Sequence, residues 1–527
     1  MAGLRNRMKA RNAVTAAAAV LAASSTLAMA GCGGSSGNGT GAGGDQPQRG
    51  GNLTIARSED TQTLDPTRMY HNEDIWIAEQ MYQTLYAAAP DGKNLVPQLA
   101  TSYKLSPDKK TWTFTLRHGV TFSDGKPMTS ADVAFSINEA RAKDSLWASI
   151  DSAIQSVSTP DQYTVVVQTK YPWSPLLSDL ALFSNGVVPK NYGGQPRQAF
   201  FQHPIATGPF KFDHWQKGQA LKLVANKSYW EKGRPYLDSV TWTVVPDANT
   251  RVLQVQGGQA DIAEFPPWSS VNSLSGNPSV KMRLFPSSRT DFLAFNTKRK
   301  PFNDPHVRRA ISYALNRQAM IKAVLFGHGQ VANSFLTPAL WAHDPKTDGG
   351  VYSLSKAKAE LASSSVPKGF STTLTVDPGD DTQVTLSQII QQELKPLGIT
   401  VSIRKDSNAT TDTESFNYDI SFAYDTTDII DPDELDEFAV VGNAGTHSLF
   451  TGYNSNTVNS LSLQAAHAFQ HSTRQQLYSQ VQEHVAQDAP LAPLFYSPFA
   501  YLTSNKVQNF KVYTIGYYPL LDTYLSH

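Results

Sequence analysis

The 527-residue chain contains one cysteine, Cys32, and no excess of either charge, with 45 basic residues against 45 acidic ones. A single cysteine excludes disulfide bonds within the chain and any metal site built from several cysteines. After the first thirty residues, no apolar run is long enough to span a bilayer. Balanced charge gives no electrostatic reason to expect a nucleic-acid partner. The composition is that of a globular protein, and the length exceeds that of one ordinary domain.

The sequence also lacks the motifs of common enzymes and cofactor sites. No Gly-x-Ser-x-Gly elbow, phosphate-binding loop or His-Glu-x-x-His helix occurs. His467 and His471 are spaced to share a helix face, which is common by chance. The acidic loop that runs from Asp425 to Asp436 lacks the glycine and the closing glutamate of an EF-hand. We therefore expect no catalytic residue, no cofactor and no metal ion, with a secreted hydrolase as a remote alternative.

The N-terminus predicts export. Residues 1–31 have a basic start and an alanine-rich apolar stretch, the layout of a signal peptide. The run Met29-Ala30-Gly31-Cys32 resembles a bacterial lipobox, which predicts a lipid anchor on Cys32; a plain signal peptide with a chance cysteine is the alternative. Residues 32–51 are rich in glycine and predict a flexible tether. The expected location is the outer face of the cytoplasmic membrane.

From residue 52 onward, strand and helix patterns alternate, which predicts an α/β or α+β fold. Alternating apolar residues predict strands at 111–116 and 163–167, and Asn72 is expected to cap a helix that carries Ile75, Ala78, Tyr82 and Leu85. Thr129 and Asp132 have the spacing of a capping box. The Asp304-Pro305 pair predicts the start of one helix that continues through Val324 to Gly327.

Several segments, in order, resemble family 5 of the bacterial extracellular solute-binding proteins, which bind oligopeptides, dipeptides or nickel chelates. Each segment is weak alone, but their common order leaves little room for chance. The matching segments lie at 63–66, 97–103, 106–108, 112–117, 120–125, 129–135, 207–210, 226–230, 256–262, 295–296, 301–304, 307–310 and 314–317.

The resemblance implies an α/β, two-lobed periplasmic-binding-protein-like fold of the large type II kind, with the ligand cleft at the hinge. The first lobe would comprise 52–93, 207–293 and 497–527, with an additional domain at 94–206, and the second lobe would be 294–496. The strands that cross between the lobes are expected near 292–296 and 493–496.

The resemblance also implies a mechanism and a site. Such proteins close their lobes over an extended peptide and pass it to membrane permease subunits of an ABC importer. Asp428, four residues before Pro432, matches the aspartate that binds the peptide ammonium group, with Asp431 next to the proline. Tyr424 lies near the place where relatives often have tryptophan. Asp60, Thr61 and Gln62 match the first-lobe segment that runs beside the ligand.

Alternatives stay open for each of these residues. For Asp428 the alternative is a solvated turn acid, and for Tyr424 it is an ordinary core position. Trp268 and Trp76 are candidates for a stacking surface in the cleft, with core packing as the alternative. Relatives that bind dipeptides use an arginine for the ligand carboxylate, whereas residues 377–381 here contain no arginine.

The sequence therefore predicts a monomeric, lipid-anchored binding protein that delivers oligopeptides to an ABC permease. The missing arginine argues against short peptides and leaves longer peptides, cationic peptides or sugars open. The same fold with an oligosaccharide or a metal chelate as ligand remains the alternative.

Overall fold

The computed structural model describes residues 47–444, 448 and 450–526, so the predicted signal peptide, Cys32 and most of the tether lie outside the described residues. The described strands, in chain order, are β1 (Asn52–Arg57), β2 (Tyr86–Ala88), β3 (Leu95–Pro97), β4 (Ala100–Leu105), β5 (Thr111–Leu116), β6 (Ile154–Asp161), β7 (Thr164–Thr169), β8 (Phe210–Gln216), β9 (Ala220–Ala225), β10 (Ser239–Val244), β11 (Ile262–Glu264), β12 (Val280–Phe285), β13 (Thr290–Phe295), β14 (Gln330–Val331), β15 (Ser371–Val376), β16 (Thr400–Lys405), β17 (Ile420–Asp425), β18 (Leu491–Tyr496), β19 (Phe499–Ser504), β20 (Val507–Gln508) and β21 (Tyr524–Leu525).

Helices alternate with these strands, as the sequence pattern predicts. The described α-helices are α1 (Asn72–Met81), α2 (Ser130–Ala140), α3 (Leu176–Asp179), α4 (Arg197–Phe200), α5 (Ala248–Gln256), α6 (Trp268–Ser273), α7 (Pro305–Ala314), α8 (Arg317–Val324), α9 (Leu354–Ala362), α10 (Asp381–Leu394), α11 (Ala409–Glu414), α12 (Asp433–Ala439), α13 (Asn456–His467) and α14 (His471–Asp488).

Two large sheets define two lobes. The first lobe is built on a seven-stranded sheet of order β12-β19-β11-β1-β10-β9-β8, in which β1 pairs in parallel with both β10 and β11. The second lobe is built on a six-stranded sheet of order β14-β18-β13-β17-β15-β16. A four-stranded sheet of order β4-β5-β7-β6 carries its own core beside the first lobe. The predicted α/β, two-lobed fold is confirmed.

The chain crosses between the two large sheets at two short connections. Residues 286–289 lead from β12 to β13, and residues 497–498 lead from β18 to β19. The hydroxyl of Ser287 donates a hydrogen bond to the carbonyl oxygen of Ser497, so the two connections lie side by side. The boundary predicted between 293 and 294 falls inside β13, since the whole of that strand belongs to the second sheet.

Local sequence signals explain several elements. On β5, the alternating side chains of Trp112, Phe114 and Leu116 are buried, as their spacing predicts. At the start of α2, the carboxylate of Asp132 accepts hydrogen bonds from the amide (2.8 Å) and the hydroxyl (2.9 Å) of Thr129. This is the reciprocal half of the predicted capping box.

Two helix predictions need correction. His71, not Asn72, is the N-cap residue of α1, and the helix ends at Met81, before Tyr82 and Leu85. The single helix predicted from Asp304 to Gly327 is two helices, α7 and α8. Asp304 caps α7 by accepting a hydrogen bond from the His306 amide, but the chain leaves helical geometry at Leu315, and Asn316 caps α8 through the amide of Ala319. A residue that caps a second helix interrupts the first, although the apolar spacing continues.

Candidate functional site

A narrow cleft with a cavity volume of about 40 Å³ lies where the segment after β17 meets the first lobe. Helix α1 forms one wall, and residues 428–430 of the second lobe face it. The side chain of Ile429 is buried in the hydrophobic core of the first lobe, so this segment packs directly against that lobe. The lining residues are Ala78, Glu79, Tyr82, Thr84, Ala87, Ala88, Leu95, Gln98, Ala181, Phe183, Gly186, Asp428, Ile429, Ile430, Ile515 and Tyr517.

Asp428 presents its carboxyl group to this cleft. Its backbone amide donates a hydrogen bond of 2.9 Å to the Glu434 carboxylate, which also accepts from the Thr427 hydroxyl (2.6 Å) and the Ile429 amide (3.1 Å). Glu434 therefore fixes the shape of the segment. Burial raises the pKa of Asp428 well above its usual range, and the nearby charge of Glu434 raises it further. A cation in the cleft would favour the ionised form of Asp428.

Asp431 faces away from the cleft. Both of its carboxylate oxygens accept hydrogen bonds from Arg474, and one also accepts from the amide of Asp433. The side chains of Asp431 and Arg474 are 7% and 9% exposed, so the ion pair is buried. Asp431 is therefore a structural residue that holds the start of α12 against α14.

Tyr424 lies on β17 and is 45% exposed. The guanidinium carbon of Arg289 lies 3.8 Å from the centroid of the Tyr424 ring, in a cation–π contact. Arg289 also donates to the Asp291 carboxylate through Nε (2.9 Å) and Nη2 (2.6 Å), and Asp291 is the strand partner of Tyr424 on β13. Tyr424 is thus outside the hydrophobic core, beside the connection at residues 286–289.

Asp60, Thr61 and Gln62 form the turn between β1 and α1. The Asp60 carboxylate accepts hydrogen bonds from the Trp215 indole (3.1 Å) and the Gly218 amide (2.6 Å), which fix it within the first lobe.

The next two residues of this turn are also tied to the first lobe. The buried Thr61 hydroxyl accepts a hydrogen bond of 2.6 Å from Arg57, and the Gln62 amide donates to the Asp74 carboxylate at 2.6 Å. None of the three residues lines the cleft that contains Asp428, although the Gln62 side chain is exposed.

The two tryptophan candidates lie in different surroundings. Trp76 is 2% exposed and packs against Phe265 and Tyr518 in the first-lobe core, so we assign it to the core and not to the ligand surface. Trp268, the first residue of α6, is partly buried and packs against the main hydrophobic cluster of the second lobe. It forms a contact between the lobes and does not line the cleft.

The acids that replace the missing arginine have structural roles. Asp380 caps α10 by accepting hydrogen bonds from the amides of Thr382 (2.8 Å) and Gln383 (3.1 Å). Asp377 accepts a hydrogen bond of 2.8 Å from the amide of Gly379. This segment therefore offers acidic side chains where dipeptide-binding relatives have a basic one.

The metal candidates in the sequence are the acidic loop from Asp425 to Asp436 and the pair His467 and His471. Within residues 47–444, 448 and 450–526, no group of three or more His, Cys, Asp or Glu side chains is arranged to hold a metal ion. His467 lies against the rings of Tyr171 and Trp173, whereas His471 lies against Trp341.

Sequence reasoning missed Glu79, which lies on α1 opposite Asp428. Burial raises the pKa of Glu79 well above its usual range, and the charge of Asp428 adds to this effect. Its Oε2 atom is buried and has no hydrogen-bond partner among the residues that the structure describes. One sequence feature could have pointed to Glu79. It is an acid next to Ala78 and three residues before Tyr82, on a helix whose other face is apolar.

Polar contacts join residues of the two lobes. The Tyr70 hydroxyl donates to the Glu414 carboxylate at 3.0 Å, and His328 Nε2 lies 2.9 Å from the side-chain oxygen of Asn272. Two α/β lobes that are joined by two adjacent connections and enclose a cleft define the class of two-lobed solute-binding proteins.

Comparisons with known proteins agree with this class. The chain is 29% identical to the probable D,D-dipeptide-binding periplasmic protein DdpA of Escherichia coli over 476 residues, which cover 87% of the chain and 91% of that protein. The structure of the ABC transporter-associated periplasmic binding protein DppA from Helicobacter pylori, in complex with the peptide STSA, superimposes with a TM-score of 0.82. That match has 27% identity and covers 91% of this chain and 99% of the other.

A longer ligand occurs in another similar structure. The oligopeptide-binding protein AppA from Bacillus subtilis, in complex with a nonapeptide, matches with a TM-score of 0.80 and 25% identity. The match covers 92% of this chain and 100% of that one.

The family model of bacterial extracellular solute-binding proteins, family 5 Middle, matches residues 94–440, and the chain belongs to this family. It is therefore the substrate-binding component of an ABC importer. None of the helices in the described part of the chain is long and apolar enough to cross a membrane.

Proposed function

We propose that this protein captures peptides by their free amino terminus and delivers them intact to an ABC permease. The observation that carries the proposal is the Asp428 carboxyl group, which lines a cleft between the lobes that has no lysine, arginine or histidine among its lining residues. A buried carboxylate without a basic partner favours a cationic ligand, because a nearby positive charge offsets the cost of burying a negative one.

The residues expected near the carboxyl end of the peptide indicate how long the ligand is. The segment 377–381 offers acids that cap a helix or a turn, so a dipeptide carboxylate would lack a basic partner there. Among similar proteins, AppA is in complex with a nonapeptide and the Helicobacter pylori protein with the peptide STSA. These observations support peptides longer than two residues, which extend past the acids.

Binding is coupled to closure of the lobes. The Tyr70–Glu414 and Asn272–His328 contacts join residues of the two lobes, and Asp428 reaches the cleft from the second lobe. A peptide held by both lobes binds the closed form better, and this difference in affinity shifts the population toward closure.

We also propose where the protein is located and that it is a monomer. The lipobox-like run before Cys32 supports a signal peptide that is removed and a lipid anchor on the outer face of the membrane. We propose a monomer that binds its ligand without a cofactor and without cleaving it. Recovery of cleaved ligand after long incubation would contradict the last point.

Two variants test the role of Asp428. Asp428→Asn removes the charge but keeps the size of the side chain, so peptides with a free amino terminus should bind roughly tenfold to hundredfold more weakly. Acetylated peptides should bind the variant and the wild type alike. Asp213→Asn, at a partly exposed position on β8, is the control and should leave both affinities unchanged. Calorimetry with paired peptides measures the effect, and equal loss for free and acetylated peptides would contradict the assignment.

Aromatic residues on the cleft wall favour one second candidate. Tyr82, Phe183 and Tyr517 line the cleft, and aromatic rings suit the apolar faces of sugars. A rise in melting temperature with cello- or chito-oligosaccharides, and none with peptides, would decide for an oligosaccharide ligand.

A further inference from the structure

The cleft holds two carboxyl groups from opposite lobes. Glu79 reaches it from α1 of the first lobe, and Asp428 reaches it from the segment after β17 of the second. The two are close enough for the charge of Asp428 to act on Glu79. Within the described residues, neither side chain forms an ion pair with a lysine, arginine or histidine. Most acids that sit between two packed lobes have such a partner.

Among the described residues that line the cleft, none is positively charged. Glu434 lies near Asp428 and adds a negative charge. Burial raises the pKa of Tyr517, and the charge of the nearby Glu79 raises it further. The other lining residues are apolar, apart from Tyr82, Thr84 and Gln98. Ionising both carboxyl groups in such a place is unfavourable unless positive charge enters with the ligand.

One ammonium group carries a single positive charge and cannot neutralise both carboxylates, Glu79 and Asp428. If a peptide brings only its amino terminus, one carboxyl group must either keep a proton or stay charged and unpaired. A residue with a second cation on its side chain would pair with both groups. The apolar wall that includes Ile429 and Ile515 is suited to the methylene groups of a long basic side chain, whose charged end then reaches a carboxylate.

We propose that Glu79 is a specificity-determining residue and that Glu79 and Asp428 together bind a doubly cationic amino-terminal residue, one with a free ammonium group and a basic side chain. This inference rests on the proposed function and narrows it to peptides that begin with lysine, arginine or a similar residue. Peptides with an acidic first residue are rejected by the same pair.

The test compares peptides that differ by one charge. Lys-Ala-Ala and norleucine-Ala-Ala share a four-carbon side chain, but only the first carries the second cation. Wild-type protein should bind the lysine peptide roughly tenfold more tightly or better. Glu79→Gln should lose this preference by weakening the lysine peptide alone. Glu483→Gln, at an exposed position on α14, should keep it. Calorimetry at fixed ionic strength gives all the affinities.

The pH supplies a readout that a packing role for Glu79 would not change. As the pH rises through the range in which the two carboxyl groups lose protons, the lysine preference of the wild type should grow. In Glu79→Gln the ratio of the two affinities should be nearly constant over this range.

The outcomes separate this inference from the proposed function. If both peptides bind with the same affinity to the wild type, Glu79 has no such role, but peptide capture stands. This comparison needs no variant and holds even if Glu79→Gln fails to fold. If neither peptide binds, but the diamine cadaverine raises the melting temperature of the wild type and not of Glu79→Gln, the cation pair stands and peptide capture falls. If neither peptide binds and cadaverine does not bind either, both the role of Glu79 and the proposed peptide capture are wrong.

Discussion

The carboxylate of Asp431 accepts two hydrogen bonds of 2.7 Å from the guanidinium group of Arg474. Because the Asp431 carboxylate is buried and its charge is already paired with a guanidinium group, Asp431 is not available to a ligand in the cleft. Asp428, three residues earlier, has no such partner in the described part of the chain and lines the cleft. The two aspartates therefore have different positions: Asp431 holds the segment in place, and Asp428 lines the cleft.

Removing Arg474 should destabilise the fold strongly. In Arg474→Ala, the buried carboxylate of Asp431 loses its counter-charge, and we expect the free energy of unfolding to fall by about 3–5 kcal/mol. Urea denaturation at neutral pH measures this loss.

An exposed ion pair provides the matched control. Arg68 and Asp144 also form a close pair, but their side chains are 50% and 58% exposed. Arg68→Ala should change the free energy of unfolding by less than about 1 kcal/mol. If both variants lose the same free energy of unfolding, the burial of the Asp431–Arg474 pair does not increase its contribution to stability.

Trp76 and Trp268 should respond differently to truncation. Trp76→Ala leaves a large cavity in the first-lobe core and should lower the free energy of unfolding by about 3–5 kcal/mol. Trp268→Ala, at a partly buried contact between the lobes, should cost less than half as much. Its main effect is expected on the extent of closure, measured by small-angle scattering with and without peptide. A larger loss of stability for Trp268→Ala would contradict the core assignment of Trp76.

Stability should decrease as the pH rises from about 5 to about 8. Burial raises the pKa values of Asp151, Glu264, Asp425, Glu434 and Asp436 to about 7. The folded state therefore binds protons more tightly than the unfolded state, in which these groups titrate near pH 4, and it loses this advantage as the pH rises through about 7. We expect a fall of at least about 2 kcal/mol in the free energy of unfolding between pH ~5 and pH ~8.

One variant isolates a single contribution to this pH dependence. Glu264 accepts a hydrogen bond of 2.6 Å from the Tyr518 hydroxyl, and a glutamine oxygen can accept the same bond. Glu264→Gln should therefore reduce the loss of stability between the two pH values and leave the fold unchanged. A protein that is as stable at the higher pH as at the lower one would contradict the prediction.

Asp304 should stabilise α7 as its N-cap. Its carboxylate accepts hydrogen bonds from the His306 amide at 2.9 Å and the Ser365 amide at 2.7 Å. Asp304→Ala leaves both donors without a partner and should cost about 1–2 kcal/mol, whereas Asp304→Asn keeps an acceptor and should cost much less. Thermal unfolding of the two variants tests the difference, and similar losses would exclude a capping role.

Predictions that depend on neighbouring residues in the chain were the most successful. The capping box at Thr129 and the buried face of β5 follow from spacing within one element. The single helix predicted from Asp304 failed because apolar spacing continues across Asn316, and only the packing of α7 and α8 as separate helices shows the break.

The site could be predicted only in part. The family resemblance predicted that Asp428 binds the ligand, and this role remains a prediction. The structure adds that Asp428 lines the cleft. Glu79 could not be found in this way, because its role depends on a segment that is distant in the chain and meets α1 only in the folded protein. Trp76 is an aromatic residue of the kind that often lines a cleft, but it is buried in the core. Sequence alone does not distinguish these two positions.

The two connections between the sheets are short and are joined by the hydrogen bond from Ser287 to Ser497. Two backbone segments held side by side define a single axis, so one lobe can turn relative to the other with little freedom to slide or twist. The displacement of a residue during that rotation grows with its distance from the axis. A permease that contacts the outer ends of both lobes would therefore detect a change of many ångströms, although the backbone angles change at only a few residues.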